Sequence, residues 1–171
     1  ILQRTHAQNP ENLHLLDFGC GSGRDTKCFL AERYQVSALD GSRLLAEKAS
    51  KYTGIPVKPL LFQDFHEKDL YDGIWACASI LHLTKEELPV IFQSIYDALK
   101  NDGIFYTSFK YGDFQGYRND RYYTDLTKET MRALLQNLPR FMVEEEWIST
   151  DVRPGRGQEQ WLNLIARKSI Q

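Results

Sequence analysis

The segment Asp17-Phe18-Gly19-Cys20-Gly21-Ser22-Gly23-Arg24-Asp25 sets three alternating glycines between carboxylates, directly after a short apolar run. Such glycines let the backbone turn tightly and let a ligand lie against it, with the N-terminus of the following helix facing that ligand. Asp40 closes a second apolar run, 21 positions after Gly19. A carboxylate there suits hydrogen bonding to ribose hydroxyls. The dinucleotide fingerprint G-x-G-x-x-G would need glycine at position 24, but the chain has Arg24 and its third glycine arrives early, at Gly23. Asp17 stands before the loop, where it would repel a pyrophosphate and welcome an amino group. Arg24 opposes the helix macrodipole, a placement that makes sense if it faces a ligand carboxylate. A zwitterionic amino acid attached to a ribose satisfies both observations.

The elements that must position these groups alternate in type. Leu13 to Phe18, Gln35 to Asp40, Val57 to Phe62, Tyr71 to Ala78 and Ile104 to Phe109 read as strands. Thr26 to Tyr34, Ser42 to Tyr52 with Ser42 as N-cap, and Lys85 to Lys100 read as helices, the last stopped by Asn101-Asp102-Gly103. A further helix is expected over Thr127 to Leu138. Met142 to Ile148 and Gln160 to Arg167 then form an antiparallel pair around Arg153-Pro154-Gly155-Arg156-Gly157. Strand–helix alternation implies right-handed βαβ units and a parallel sheet covered on both faces. The expectation is one doubly wound α/β domain over residues 1–171, a three-layer sandwich whose seven-stranded, mostly parallel sheet ends in an antiparallel hairpin strand.

Composition narrows the function classes. The 171 residues carry 21 Lys and Arg against 23 Asp and Glu, a net charge of −2, which disfavours nucleic acid and anionic membrane surfaces as partners. No stretch approaches the roughly 18 apolar residues of a membrane span. The three cysteines Cys20, Cys28 and Cys77 form no CxxC, and a reducing cytoplasm is the expected compartment. His6, His14, His66 and His82 are dispersed, so no metal is expected. The chain begins Ile1-Leu2-Gln3-Arg4 with no apolar leader.

Asp17 to Asp25 resembles motif I of the class I S-adenosylmethionine-dependent methyltransferases. Asp40-Gly41-Ser42 is similar to their acidic second-strand end, and Gln63-Asp64-Phe65 to their adenine-side acidic position. Tyr71 to Leu83 and Asn101-Asp102-Gly103-Ile104 resemble the fourth strand and the turn into the fifth, so the likeness runs from Leu13 to Phe109. The nearest flavour is the small bacterial group labelled tellurite-resistance-like, or methyltransferase types 11 and 12, and beyond Phe109 only the fold is shared. The resemblance implies a Rossmann-like fold and S-adenosylmethionine as cofactor. It implies Asp17 at the cofactor amino group, backbone room at Gly19, Gly21 and Gly23, and Asp40 with Gly41 and Ser42 at the ribose. Cys20 and Arg24 fall within the same loop. Asp64 would meet the adenine amino group or merely cap a turn, Phe65 would add an amide or ring contact, and Cys77 would meet the methionine end or pack in the core. The family usually carries a helical segment before its first strand, so this chain is expected to lack an N-terminal helical lid.

In such sheets the crevice lies beyond the carboxyl ends of the parallel strands, so the acceptor should meet the segments after strands four, five and six. Ser79 and His82 follow strand four, where His82 is the candidate base, an orienting group or a helix cap. Lys110, Tyr111 and Tyr117 lie in a Gly-spaced aromatic segment that is either an acceptor wall or a solvated connection. Arg153 and Arg156 suit an anionic acceptor group or an exposed loop. Methyl transfer needs little beyond in-line positioning, because the sulfonium is already reactive. No Asn/Asp-Pro-Pro-aromatic or Pro-Cys segment points to base methylation. A small-molecule acceptor and a monomer or weak homodimer are expected. A non-catalytic S-adenosylmethionine-binding module and a nicotinamide-dependent oxidoreductase remain the alternatives.

Overall fold

A computed structural model describes residues 2–5, 7–138 and 141–169, so Ile1 and His6 lie outside the described residues. Two 3-10 turns, Leu2–Arg4 and Pro10–Asn12, lead into β1 (His14–Phe18), α1 (Arg24–Ala31), β2 (Gln35–Asp40), α2 (Arg43–Thr53) and β3 (Val57–Pro59). Then follow β4 (Tyr71–Ala76), α3 (Leu88–Ala98), β5 (Leu99–Lys110), β6 (Gln115–Arg118), β7 (Arg121–Thr124), α4 (Lys128–Gln136), β8 (Phe141–Thr150) and β9 (Gln160–Lys168). The main sheet has seven strands in the order β3-β2-β1-β4-β5-β9-β8. Its first five strands are parallel, and β9 runs antiparallel between β5 and β8. The expected seven-stranded, mostly parallel sheet is therefore present, and the strand order reverses between β1 and β4.

Side-chain alternation along β1 shows why helices cover both faces. Leu16 and Phe18 join the large core with Ile74, Phe105, Leu164 and the α3 residues Leu88, Ile91, Phe92 and Ile95. Asp17, one step out of phase, faces α1 and meets Thr26. A smaller cluster of Ala38, Ala46, Ala49 and Val57 seats α2 against the edge of the sheet. The α3 apolar spacing of three and four residues is the one read from sequence, and Thr84 and Glu87 bond reciprocally ahead of it (Thr84 N–H to Glu87 Oε2, 2.8 Å).

Four local readings change. α3 ends at Ala98 rather than Lys100, and β5 starts at Leu99 rather than Ile104, so the expected stop at Asn101-Asp102-Gly103 lies within a strand. α1 begins at Arg24 rather than Thr26, because Gly23 takes a left-handed conformation (φ 87°) and starts the helix directly. β3 stops at Pro59 instead of Phe62; as an edge strand bonded only to β2 it is free to coil into a 3-10 turn over Phe62–Asp64. The segment after β5 is neither a loose connection nor part of the main sheet. It is a two-stranded hairpin, with Tyr117 opposite Tyr122, closed by Asn119 and Asp120 at φ 47° and 65°. Asn and Asp tolerate that region and supply the tight turn. The hairpin is pinned to the turn after β4, where Thr124 Oγ1 donates to the Leu83 carbonyl at 2.7 Å.

Phe92 sits at the centre of the large core, fully buried and edge-on to Phe105 at 5.4 Å. Phe92→Ala should cost about 3–5 kcal/mol of unfolding free energy by denaturant titration. A loss below about 1 kcal/mol would show that the α3–sheet seam is not the main source of stability.

Candidate active site

The loops after β1 and β4 meet at the carboxyl edge of the sheet where its strand order reverses, the place where open α/β sheets hold ligands. The loop after β1 is held from below: the Gly19 and Cys20 amides both donate to the Leu39 carbonyl, at 3.0 and 2.9 Å. It is held from the side by Asp40, which accepts from the Gly21 amide and the Ser42 amide, each at 2.8 Å. Ser42 in turn caps α2 by accepting from the Leu45 amide at 3.3 Å. The three glycines do different work. A Cβ on Gly19 would stand 2.5 Å from Ser79 Cβ, and one on Gly23 would stand 2.7 Å from Thr53 Cγ2. These two are fixed by packing. A Cβ on Gly21 would meet no protein atom within 4 Å, so the space beside it is open cleft.

That cleft is a trough of two cavities, about 260 and 300 Å³, which share Gly19, Gly21 and Ala78. One end is lined by Asp17, Cys20, Arg24, Asp25 and Cys77. The other is lined by Asp40, Gly41, Ser42, Leu45 and Phe62, with Ser79, His82 and Arg121 at its rim. Ala78 holds φ 49°, and its amide donates to Ser108 Oγ at 2.9 Å. A non-glycine left-handed residue costs of order 1 kcal/mol, and such residues gather at functional clefts.

Charge is divided along the trough. Asp17 is 3% exposed and accepts from Thr26 Oγ1 at 2.6 Å. Burial pushes its pKa up to about 6, the Thr26 bond opposes that, and the Asp25 and Asp40 carboxylates add to it. Asp25 accepts from the Trp75 indole at 2.9 Å and from Arg24 Nε at 2.8 Å. Arg24, expected to face a ligand carboxylate, is thus paired with its neighbour, which offsets its opposition to the helix dipole. Burial pushes the Cys20 thiol up to about 12 and also raises Cys77, so neither is a nucleophile at neutral pH. The trough has a carboxylate-rich end for a cation and an amide-anchored carboxylate for hydroxyls at the other.

Other expected residues scatter. Asp64 is exposed in the Phe62–Asp64 turn and lines neither cavity. The Phe65 ring is 2% exposed, edge-on to Phe18 in the core, and its amide donates to the Phe62 carbonyl. Phe62, stacked on Phe18 at 4.5 Å, is the aromatic wall instead. Periodicity put Phe62 at the end of a strand, which hid this role. Ser79 gives its hydroxyl to the Phe18 carbonyl at 2.6 Å, a structural bond. His82 lies 2.8 Å (Nδ1) from the Tyr122 carbonyl oxygen and edge-on to Tyr123. A carbonyl only accepts, so Nδ1 carries the proton and Nε2 keeps the lone pair of the neutral ring. Burial lowers the His82 pKa; the Tyr122 bond opposes this and Arg121 reinforces it.

A third cavity of about 880 Å³ lies beside the trough, under the hairpin and the β8–β9 turn. Lys110, Tyr111 and Arg156 line it, as do Arg118 and Arg121, which belong to the aromatic segment of Lys110 and Tyr111 but carry no signal of their own in it. Tyr117 points away, 75% exposed, and Arg153 is bound to Asp151, whose carboxylate it holds well below the usual range.

Asp17 generates a stability prediction. Its folded pKa of about 6 exceeds the unfolded value of 3.8, so the stability linked to this group is full below 3.8 and lost as pH rises through 6. Asp17→Asn keeps an acceptor for Thr26 and should therefore raise the unfolding free energy at pH ~8 by about 2–3 kcal/mol. The gain should vanish toward pH ~4, and a pH-independent difference would refute the burial account.

Residues 15–103 match the family described as "Methyltransferase domain". No curated protein sequence matches the chain. Among solved structures, a 1,6-didemethyltoxoflavin-N1-methyltransferase from Burkholderia thailandensis, with bound 1,6-didemethyltoxoflavin and S-adenosylhomocysteine, is similar at TM-score 0.76 and 24% identity. That likeness covers 95% of this chain and 72% of the other. A Methanosarcina mazei S-adenosylmethionine-dependent methyltransferase superposes with TM-score 0.82 at 15% identity, covering 94% of both chains. The cyclase SpnF shares the fold at TM-score 0.76 and 16% identity, covering 99% of this chain and 79% of the other, so structural likeness at this distance speaks for architecture. With the sequence match spanning more than half its length, the chain belongs to the methyltransferase domain family and has the fold of the class I S-adenosylmethionine-dependent enzymes.

Proposed function

We propose that this chain methylates a small molecule, with S-adenosylmethionine in the trough and the acceptor in the adjoining cavity. The observation that carries the reading is the divided charge of the trough: Asp17 and Asp25 at one end, Asp40 across the glycine loop at the other. Asp17 and Asp25 would receive the ammonium of the methionine part, and Asp40, still rich in lone pairs, the ribose hydroxyls. Phe62 and Leu45 offer an apolar surface for the adenine. When bound, the cofactor would supply a sulfonium methyl that an acceptor lone pair attacks, the C–S bond breaking with its electron pair on sulfur to release S-adenosylhomocysteine.

The chain's own part is positioning and proton removal. His82, at the trough rim with Nε2 unprotonated, takes the proton that the acceptor loses. The acceptor cavity opens beside the carboxyl end of β5, walled by Tyr111 and Tyr123. A small-molecule acceptor also fits the Burkholderia thailandensis relative, whose structure holds one. No described helix is long and apolar enough to cross a membrane, and the free thiols of Cys20, Cys28 and Cys77 suit a cytoplasmic protein.

Calorimetry with S-adenosylhomocysteine tests the reading, and absence of binding at millimolar ligand would overturn it. Asp40→Ala should weaken that binding by about 1–3 kcal/mol, because it removes a ribose acceptor and frees two loop amides. For any acceptor that turns over, kcat/KM should stay level on acidification to the ordinary histidine value of 6.5 and fall below it, since neutral His82 is the active form. His82→Gln should lower kcat about a hundredfold and abolish that acid limb. An unchanged acid limb in the variant would assign it to another group.

A further inference from the structure

The cavity beside the trough has an uneven charge balance. Lys110, Arg118, Arg121 and Arg156 line it against only two carboxylates, Asp125 and Glu159. Both carboxylates are already committed. Arg118 binds Asp125 through two hydrogen bonds of 2.8 and 2.6 Å, and Lys110 Nζ lies 2.6 Å from Glu159. Arg118 is further immobilised over the Phe114 ring, at 3.9 Å. Arg121 and Arg156 enter no ion pair among the described residues. They come from different elements, Arg121 from the start of β7 and Arg156 from the β8–β9 turn. Arg121 lines both this cavity and the trough, and so marks where the two meet. The sequence expectation of an arginine pair at Arg153 and Arg156 is thereby altered: Asp151 takes Arg153, and the hairpin brings in Arg121.

We propose that the methyl acceptor carries an oxyanion group, held between Arg121 and Arg156, that serves as its anchor and not as the reacting atom. This rests on the methyltransferase reading above and specifies its substrate class. The physical argument is one of compensation. Two guanidinium groups facing one concavity repel each other and leave donors for an external anion, which each can bind in a two-pronged geometry. Tyr111 and Tyr123 give the cavity flat walls, so a ring-bearing acid suits it better than a bare ion. With its anion anchored at the arginines, the rest of the acceptor extends toward the trough rim, where His82 lies.

The test uses the intact chain saturated with S-adenosylhomocysteine and matched probes: benzoate with benzamide, phenyl phosphate with phenol, and succinate with succinamide. Binding is read from indole fluorescence, since Trp161 lies beside Lys110 at this cavity. At least one anionic member should bind, at least about tenfold more tightly than its neutral twin. Arg121→Gln and Arg156→Gln should each remove most of that preference, whereas Arg153→Gln should keep it. The carboxylate and phosphate arms report which oxyanion fits. Equal binding of the neutral twins, no anion bound at millimolar concentration, or a preference that survives both variants would overturn the proposal. Failure of S-adenosylhomocysteine itself to bind would instead strike the methyltransferase reading. Its retention in Arg156→Gln keeps the two failures apart.

Discussion

A carboxylate buried without a cation constrains everything around it. Asp17, near the end of the central strand at 3% exposure, has only Thr26 among the described residues, through its hydroxyl and its amide, to donate to its charge. Burying a charged group is unfavourable unless partners compensate, and the fold compensates only in part. Gly23 starts α1 early enough to bring Thr26 and the first helical turn to Asp17, where the helix dipole favours negative charge. Asp25 and Asp40 act the other way, and of the three carboxylates only Asp25 has an ion-pair partner among the described residues, Arg24. On the proposed reading, the ammonium of S-adenosylmethionine would complete the balance. The cost to the free protein is the source of preference for a cation in the trough.

Asp40 solves a different problem. Its two oxygens each accept a backbone amide, from Gly21 and Ser42, so it ties the glycine loop to the start of α2 before any ligand arrives. Gly19 and Gly23 are dictated by Ser79 and Thr53, which press against them. Of the three, Gly21 alone faces open space, so the loop's shape is set by packing and its vacancy lies at one residue. Preorganisation of this kind removes ordering costs from binding.

The parallel sheet, its order of elements and the glycine loop were legible because they are local signals. Apolar runs of five or six residues, a cap at Ser42 and glycines after a strand each report on their own neighbourhood. Two classes of feature were not. Phe62 and Phe65 are equivalent in sequence terms, and only the unwinding of edge strand β3 turns the first to the cleft and the second into the core. Arg121 is legible only as a member of the aromatic segment after β5, without a signal of its own. Its role depends on β6 and β7 pairing through Tyr117 and Tyr122, and on Thr124 fastening that hairpin to Leu83, 41 positions earlier. Arg24 and Arg153 each pair with a carboxylate close in sequence, Asp25 and Asp151, and Arg24 still lines the trough.

The hairpin also explains how so sparse a site can be organised for transfer. The Tyr122 carbonyl that fixes the His82 tautomer belongs to the residue after Arg121, so the group that orients the ring and the proposed anchoring cation share one strand. An acceptor held at Arg121 is therefore placed in the frame that also orients Nε2. The same cation helps keep His82 unprotonated while the cavity is empty. On the proposed reading, an anion held at Arg121 would offset that smaller influence, while burial, the main cause, stays. On that reading, two adjacent residues of β7 would hold the acceptor and orient the ring that the turn after β4 supplies.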